Sequence, residues 1–179
     1  MSDQSQRSAS EGPRPLVLFV DDDEMLRASS CRSLSRRYDV LQAGTPEDAC
    51  DLIDQHTVDG ICRISVAIVD LWMPKRGSVV IDENAGLSLI RRIKPDESSH
   101  SEPPYLLVLT GHESEENCRQ CLVAGACWYV VKSDVGWSDE LRKRIELLLA
   151  IHREHPERAD PTRRSRIVEF VRKFVWPSS

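Results

Sequence analysis

No apolar run in the 179-residue chain approaches the roughly 18 residues that a membrane-spanning helix needs, and the opening stretch MSDQSQRSASEGPRP contains no hydrophobic segment of the signal-peptide kind. A membrane-spanning or secreted product is therefore not expected, and a cytoplasmic location is. No second CxxC completes a zinc tetrad with Cys118 and Cys121, and the six cysteines read as thiols rather than a disulfide framework. Cys118 and Cys121 fall with Leu122 on neighbouring positions of one face of the helical stretch ENCRQCLVAGA, which suits small buried hydrophobes. His152 and His155 read as a solvated helix end rather than a ligand pair. Length is short as well, enough for one α/β domain with tails but not for two full cores. Basic residues are the minority, 24 against 29 acidic, and they are unevenly spread: residues 152–179 hold 7 basic and 4 acidic side chains. An acidic body carries a basic tail.

What the chain does have is a recurrence of short apolar runs: LVLFV (16–20), the weaker YDVLQA (38–43), SVAIVD (65–70), YLLVLT (105–110) and CWYVV (127–131). Such runs suit parallel strands buried on both faces. Helix signals lie between them. Thr45-Pro46-Glu47-Asp48 offers an N-cap, a proline at the first helical position and two acids in the first turn; Ser138-Asp139-Glu140 opens a later helix, with Leu141, Ile145, Leu148 and Leu149 on one stripe. Helices are also expected over 86–94 and 113–124, and over 24–37 more by position than by pattern. This alternation predicts a doubly wound five-stranded parallel sheet of flavodoxin-like (βα)5 form with helices on both faces. Chemistry is then expected at the carboxyl ends of the strands.

The residues at those ends form a coherent set. The first run leads into Asp21, Asp22, Asp23 and Glu24, the third ends in Asp70, the fourth in Thr110-Gly111, and the fifth is followed by Lys132. Taken singly, each has a plain structural role: a turn acid, a helix cap, a solvated lysine. Asp23 is read as such an N-cap. Taken together, converging carboxylates call for a hard divalent cation, and Mg2+ pairs few carboxylates with phosphate oxygens. Lys132 and Thr110 suit the oxygens of a phosphoryl group, and Asp70 is the natural nucleophile for an aspartyl-phosphate.

With VLFVDDDEMLR, AIVDLWMP, GLSLIRRI, LLVLTG and GACWYVVK in this order, the chain resembles a response-regulator receiver domain over about 16–151. The resemblance implies that Asp21 and Asp22 are the acidic pair for magnesium, Asp70 is the phospho-acceptor and the Trp72 backbone carbonyl is a further metal ligand. It also implies a switch hydroxyl on Thr110, a phosphate-binding Lys132, and a Tyr129 that changes rotamer with phosphorylation. The donor would be a histidine kinase or phosphotransfer protein, and the output a protein-protein contact. The chain departs from the family in Ser133, where a proline usually follows the lysine, often in a cis bond. It also carries eleven residues, KRGSVVIDENA, between Pro74 and Gly86, and a smaller excursion around 60–65. The larger insertion reads as a surface excursion, or as a lid or partner-selecting loop.

Two other readings share these residues. A haloacid-dehalogenase-type phosphohydrolase places its nucleophile first and its acidic pair last, with a second aspartate two positions after the nucleophile; here the pair comes first and Trp72 holds that position. An unphosphorylated pseudo-receiver adaptor is disfavoured by the complete set. Trp72 and His112 stand two positions after Asp70 and Thr110. The indole is expected to shield a phosphorylated Asp70 from water, whereas the imidazole would instead assist hydrolysis. The division expected is a disordered tail over 1–15, the receiver over 16–152, and a linker with a basic amphipathic helix over 153–179. That helix has Ile167, Phe170, Val171 and Phe174 as its stripe. It is too short for a helix-turn-helix module, so DNA binding is not expected of it as such a module, and four uses stay open: packing back on the receiver, dimerisation or partner binding, a homodimer included, peripheral membrane contact, and nucleic-acid contact.

Overall fold

The five apolar runs become the strands of one sheet in the computed structural model, which describes residues 13–93 and 104–154, with side chains up to 150. In chain order the elements are β1 (Leu16–Val20), α1 (Glu24–Leu34), β2 (Asp39–Ala43), α2 (Pro46–Gln55), β3 (Thr57–Val58), β4 (Ile61–Cys62) and β5 (Ile64–Val69). They continue with β6 (Met73–Pro74), β7 (Ile81–Asp82), α3 (Ala85–Ile93), β8 (Tyr105–Thr110), α4 (Glu115–Ala124), β9 (Trp128–Val131) and α5 (Trp137–Glu154). The sheet order is β2-β1-β5-β8-β9 and every pairing is parallel, as the alternation predicts. The expected C-terminal helix and most of the expected N-terminal tail lie outside the described residues.

Alternation along the strands divides the core in two. Leu18 and Val20 of β1, Ala67 and Val69 of β5, and Leu106 and Val108 of β8 face α2, α3 and α4. Val17, Phe19, Val66, Ile68, Leu107 and Leu109 point the other way, onto Cys31 and Leu34 of α1 and the Leu141, Ile145, Leu148 and Leu149 stripe of α5. Both layers exclude water from the sheet, and that burial is the main force holding the strands in register. Cys118 and Cys121 are buried free thiols whose ionisation burial pushes up, Cys121 to about 12, which fits packing rather than redox chemistry.

Helix starts follow the local signals. Asp23 caps α1 through Leu26 N–H at 3.0 Å, and Thr45 caps α2 through Asp48 N–H at 3.2 Å. α4 begins at Glu115 rather than at 113, because Ser114 takes the cap and accepts from Asn117 N–H at 3.3 Å. Both excursions are antiparallel hairpins. β3–β4 turns through Asp59 and Gly60, both at positive φ, and β6–β7 holds the larger insertion. Among the described residues no peptide bond is cis and no helix is long and apolar enough to cross a membrane.

Candidate functional site

Register assembles the site. Val20 of β1 pairs with Val69 of β5, so the next residues, Asp21 and Asp70, leave the sheet side by side, and Asp70 N–H donates to Val20 O at 2.9 Å. Thr110 of β8 pairs with Val131 of β9, and Lys132 N–H donates to Thr110 O at 2.7 Å. The acids therefore sit at the crossing point of the winding, between the first two strands whose connections diverge, with the hydroxyl and the lysine on the strands beyond.

Carboxylate oxygens of Asp21, Asp22 and Asp70 all lie within 4.8 Å of one another. Lys132 Nζ bridges two of them, 2.6 Å from Asp70 Oδ2 and 2.8 Å from Asp21 Oδ2. Asp70 Oδ1 accepts from Leu71 N–H at 2.6 Å, and Asp21 Oδ1 accepts from Asp23 N–H at 3.0 Å. Burial raises the pKa of Asp21 against the opposing pull of Lys132, and burial with the charge of Asp70 raises that of Asp22. Burial works against the Lys132 ammonium too, yet the charges of Asp70 and Asp21 outweigh it and the net direction is up. Three carboxyl groups thus share one ammonium, and the buried Asp21 Oδ2 has that counter-ion beside it without a well-directed hydrogen bond. An oxygen-lined cluster with surplus negative charge fits a hard divalent cation.

A second cluster joins the segments that follow β5 and β8. The Trp72 and His112 rings stack with centroids 3.4 Å apart and planes 17° from parallel. His112 also ties two further site residues together through its backbone: its N–H donates to Thr110 Oγ1 at 3.2 Å and its carbonyl accepts from Tyr129 Oη at 2.8 Å. Thr110 is fully buried, and burial pushes the Tyr129 phenol up. Sequence reading set Trp72 and His112 against one another; the fold joins them.

Three positions that sequence reading passed over support the site. Arg27 Nη1 donates to Asp21 O at 2.5 Å, tying α1 to the end of β1. Gly86 lies against the Asp70 backbone, where an added Cβ would meet Asp70 O at 2.0 Å, and its N–H donates to Leu71 O at 2.9 Å. Arg76 anchors the β6–β7 hairpin to α2, with Nη2 2.7 Å from Asp48 and 2.5 Å from Asp51 and its N–H donating to Glu47 at 3.0 Å. The insertion is consequently a fixed ribbon whose turn exposes Val79 and Val80. Only Gly86 carries a sequence signal, a glycine opening an apolar helix, and nothing local says what it packs against.

The family model described as response regulator receiver domain matches residues 17–146. Among solved structures, a CheY-like receiver domain protein from Methanospirillum hungatei is 24% identical, covering 78% of this chain and 98% of its own, with a TM-score of 0.59. The signal receiver domain of a putative LuxO repressor protein from Vibrio parahaemolyticus is 21% identical, covering 80% and 95%, with a TM-score of 0.63. A response regulator from Thermotoga maritima is 21% identical, covering 76% and 98%, with a TM-score of 0.57. No curated protein matches.

Proposed function

The chain belongs to the response-regulator receiver family, and from that premise we propose that it accepts a phosphoryl group on Asp70 from a histidine kinase or phosphotransfer protein and signals by protein contact from the cytoplasm. The observation that carries this reading is the bridge of Lys132 to Asp70 and Asp21 beside the three clustered carboxylates. Asp70 attacks phosphorus through a carboxylate oxygen while the bond to the donor imidazole nitrogen breaks, and the electron pair leaves with the imidazole. Lys132 moves its charge onto the phosphoryl oxygens. Asp21, Asp22, Asp70 and the Trp72 carbonyl would hold Mg2+, which supplies charge neutralisation for those oxygens. The role is signalling rather than turnover: two positions after Asp70, where a phosphohydrolase needs a general acid, stands an indole stacked on His112. The test is uptake of one phosphoryl group from acetyl phosphate with magnesium, and its loss on chelation.

Thr110 carries the switch. Drawn toward the phosphoryl group, its hydroxyl leaves the His112 N–H, and the His112 carbonyl that holds Tyr129 Oη shifts with it. Tyr129 is then free to turn, a population shift driven by about −1.5 to −2 added charge.

The stack sets the lifetime of the phosphorylated state. The two rings stack on one another two positions beyond Asp70 and Thr110, and the pair is assigned to screening the phosphoryl bond from water, with His112 acting through its contact with the indole rather than as a base. Trp72→Ala and His112→Ala are both expected to speed the decay of phosphorylated protein severalfold. Slower decay for His112→Ala would show that the imidazole acts as a base instead.

Crowding of carboxylates without a cation has a stability cost. Asp22 has a raised pKa through burial and then the Asp70 charge, so its ionisation destabilises the fold as pH rises through its unfolded value and fully above the folded one. In EDTA at pH 7, Asp22→Asn is expected to raise the thermal midpoint on the order of 2–4 °C. Excess magnesium should erase or reverse that difference, because only the wild type gains from binding the ion. A lower midpoint in EDTA would refute the cost.

A further inference from the structure

Two segments carry the groups assigned to Mg2+, Asp21 and Asp22 after β1 and Asp70 with the Trp72 carbonyl after β5, and both are tied to the first turn of α2. Asp21 N–H donates to Ala43 O at 3.1 Å, just ahead of the Thr45 cap. Asp21 O accepts from Arg27, whose guanidinium lies against Gly44, with Nη1 3.4 Å from where a Cβ would stand. From the other segment the chain runs through Met73 and Pro74 into the β6–β7 hairpin, where Arg76 crosses to the same turn of α2. Its Nε and Nη2 lie 2.9 and 2.7 Å from Asp48 Oδ1, Nη2 lies 2.5 Å from Asp51, and its backbone N–H donates to Glu47 at 3.0 Å. Thr45 Oγ1 donates to the other oxygen of Asp48 at 2.6 Å, so one carboxylate joins the helix cap to the hairpin. The Thr45 hydroxyl first, and Arg76 after it, hold the Asp48 carboxyl below the usual carboxylate range, which keeps it charged at neutral pH.

We propose that Arg76 is a positioning residue of the metal site: it braces the segment carrying Asp70 and the Trp72 carbonyl against α2, the element that also steadies Asp21. The insertion creates the need. Eleven residues between Pro74 and Gly86 lengthen the connection that follows Asp70 and give it more conformations to lose. Its root is closed by Gly86 N–H on Leu71 O and by the buried Met73 paired with Asp82. Arg76 fixes its outer part, through a network of several charges rather than a single exposed pair, the arrangement in which surface ion pairs count for most. Magnesium demands a near-octahedral set of oxygens, so spread in the position of one ligand-bearing segment lowers its affinity. A role through charge alone has the opposite sign. Arg76 is a cation on the acidic side of the domain, and by Coulomb's law its removal would draw Mg2+ more tightly. The brace rests on the receiver reading for its metal ligands, and not on Asp70 being the phospho-acceptor.

The test is Mg2+ binding to the full chain by isothermal titration calorimetry, well below the thermal midpoint. Arg76→Ala is expected to raise the Mg2+ Kd about threefold to tenfold, less than the loss of a group bonded directly to a metal ligand. Arg76→Lys, which keeps the charge and can reach one acid, should recover part of that. Uptake from acetyl phosphate should slow at limiting magnesium and return to the wild-type rate at saturating magnesium, a recovery that a misfolded fraction would not show. Lys75→Ala removes the same charge one residue away and leaves the tie to α2 in place, so it should not weaken binding. With Asp48→Asn and Asp51→Asn already present, Arg76→Ala should no longer weaken it either. Arg76→Ala protein that binds Mg2+ as tightly as wild type, or more tightly, would overturn the brace. So would an equal loss in Lys75→Ala, or a loss that persists in the doubly neutralised background. Wild-type protein that gives no heat with Mg2+ would overturn the metal assignment, and the brace with it.

Discussion

Asp70→Asn is expected to abolish phosphorylation by acetyl phosphate while leaving the domain folded. The carboxamide is nearly the shape of the carboxylate and keeps an oxygen for Leu71 N–H, which now sits 2.6 Å away, so the backbone at the end of β5 has no cause to move. What disappears is the anionic nucleophile. Its loss also removes one of the two partners of Lys132, leaving the ammonium with Asp21 at 2.8 Å. Uptake should fall to background in a filter or intact-mass assay, with a cooperative melt retained. Equal labelling of the variant would move the acceptor elsewhere. Asp21 and Asp22 would be the first alternatives, because they are the only other carboxylates of the cluster.

Gly86→Ala is the second large effect, and it acts through the backbone. A methyl at this position would meet Asp70 O at 2.0 Å, Leu71 Cα at 2.6 Å and Asp70 C at 2.9 Å, all main-chain atoms that cannot swing aside. Either α3 backs away from the sheet or the end of β5 does. The first breaks the Gly86 N–H bond to Leu71 O and opens the packing of Leu89 and Ile90; the second drags Asp70 out of reach of Lys132. Overpacking of this kind costs about 2–3 kcal/mol or more, which lowers the midpoint by roughly 5–10 °C in a domain of this size. Gly111→Ala is the control: an added Cβ there finds nothing within 4 Å, and thermal unfolding should change by no more than about 0.5 kcal/mol. A Gly86→Ala protein that melts and labels like wild type would mean that α3 does not hold the Asp70 loop.

The sheet and the strand-end residues were legible because both depend on short-range pattern. A run such as YLLVLT suits a strand buried on both faces, and once five such runs alternate with helix signals the winding brings Asp21, Asp70, Thr110 and Lys132 to one edge. The rest depends on contacts between segments far apart in sequence. Nothing in KRGSVVIDENA says that Met73 and Pro74 will pair with Asp82 and Ile81, or that Arg76 will cross to the acids of α2. The Asp59-Gly60 turn of β3–β4 did carry a local sign, an aspartate and glycine both able to take positive φ, within a stretch read only as an excursion. Trp72 and His112 were each assigned a side of the hydrolysis question from their chemistry alone. Their stacking is a property of two loops meeting at the strand ends, and it changes the expected sign for His112.

The most direct measurement is chemical location of the phosphoryl group. Protein treated with acetyl phosphate and magnesium is reduced with borohydride, which converts an acyl phosphate to the alcohol, and then digested and sequenced by mass spectrometry. The account requires a single modified residue, homoserine in place of Asp70, absent when magnesium is chelated. Modification at another carboxylate, or none at all in protein whose melt shows it folded, would contradict it.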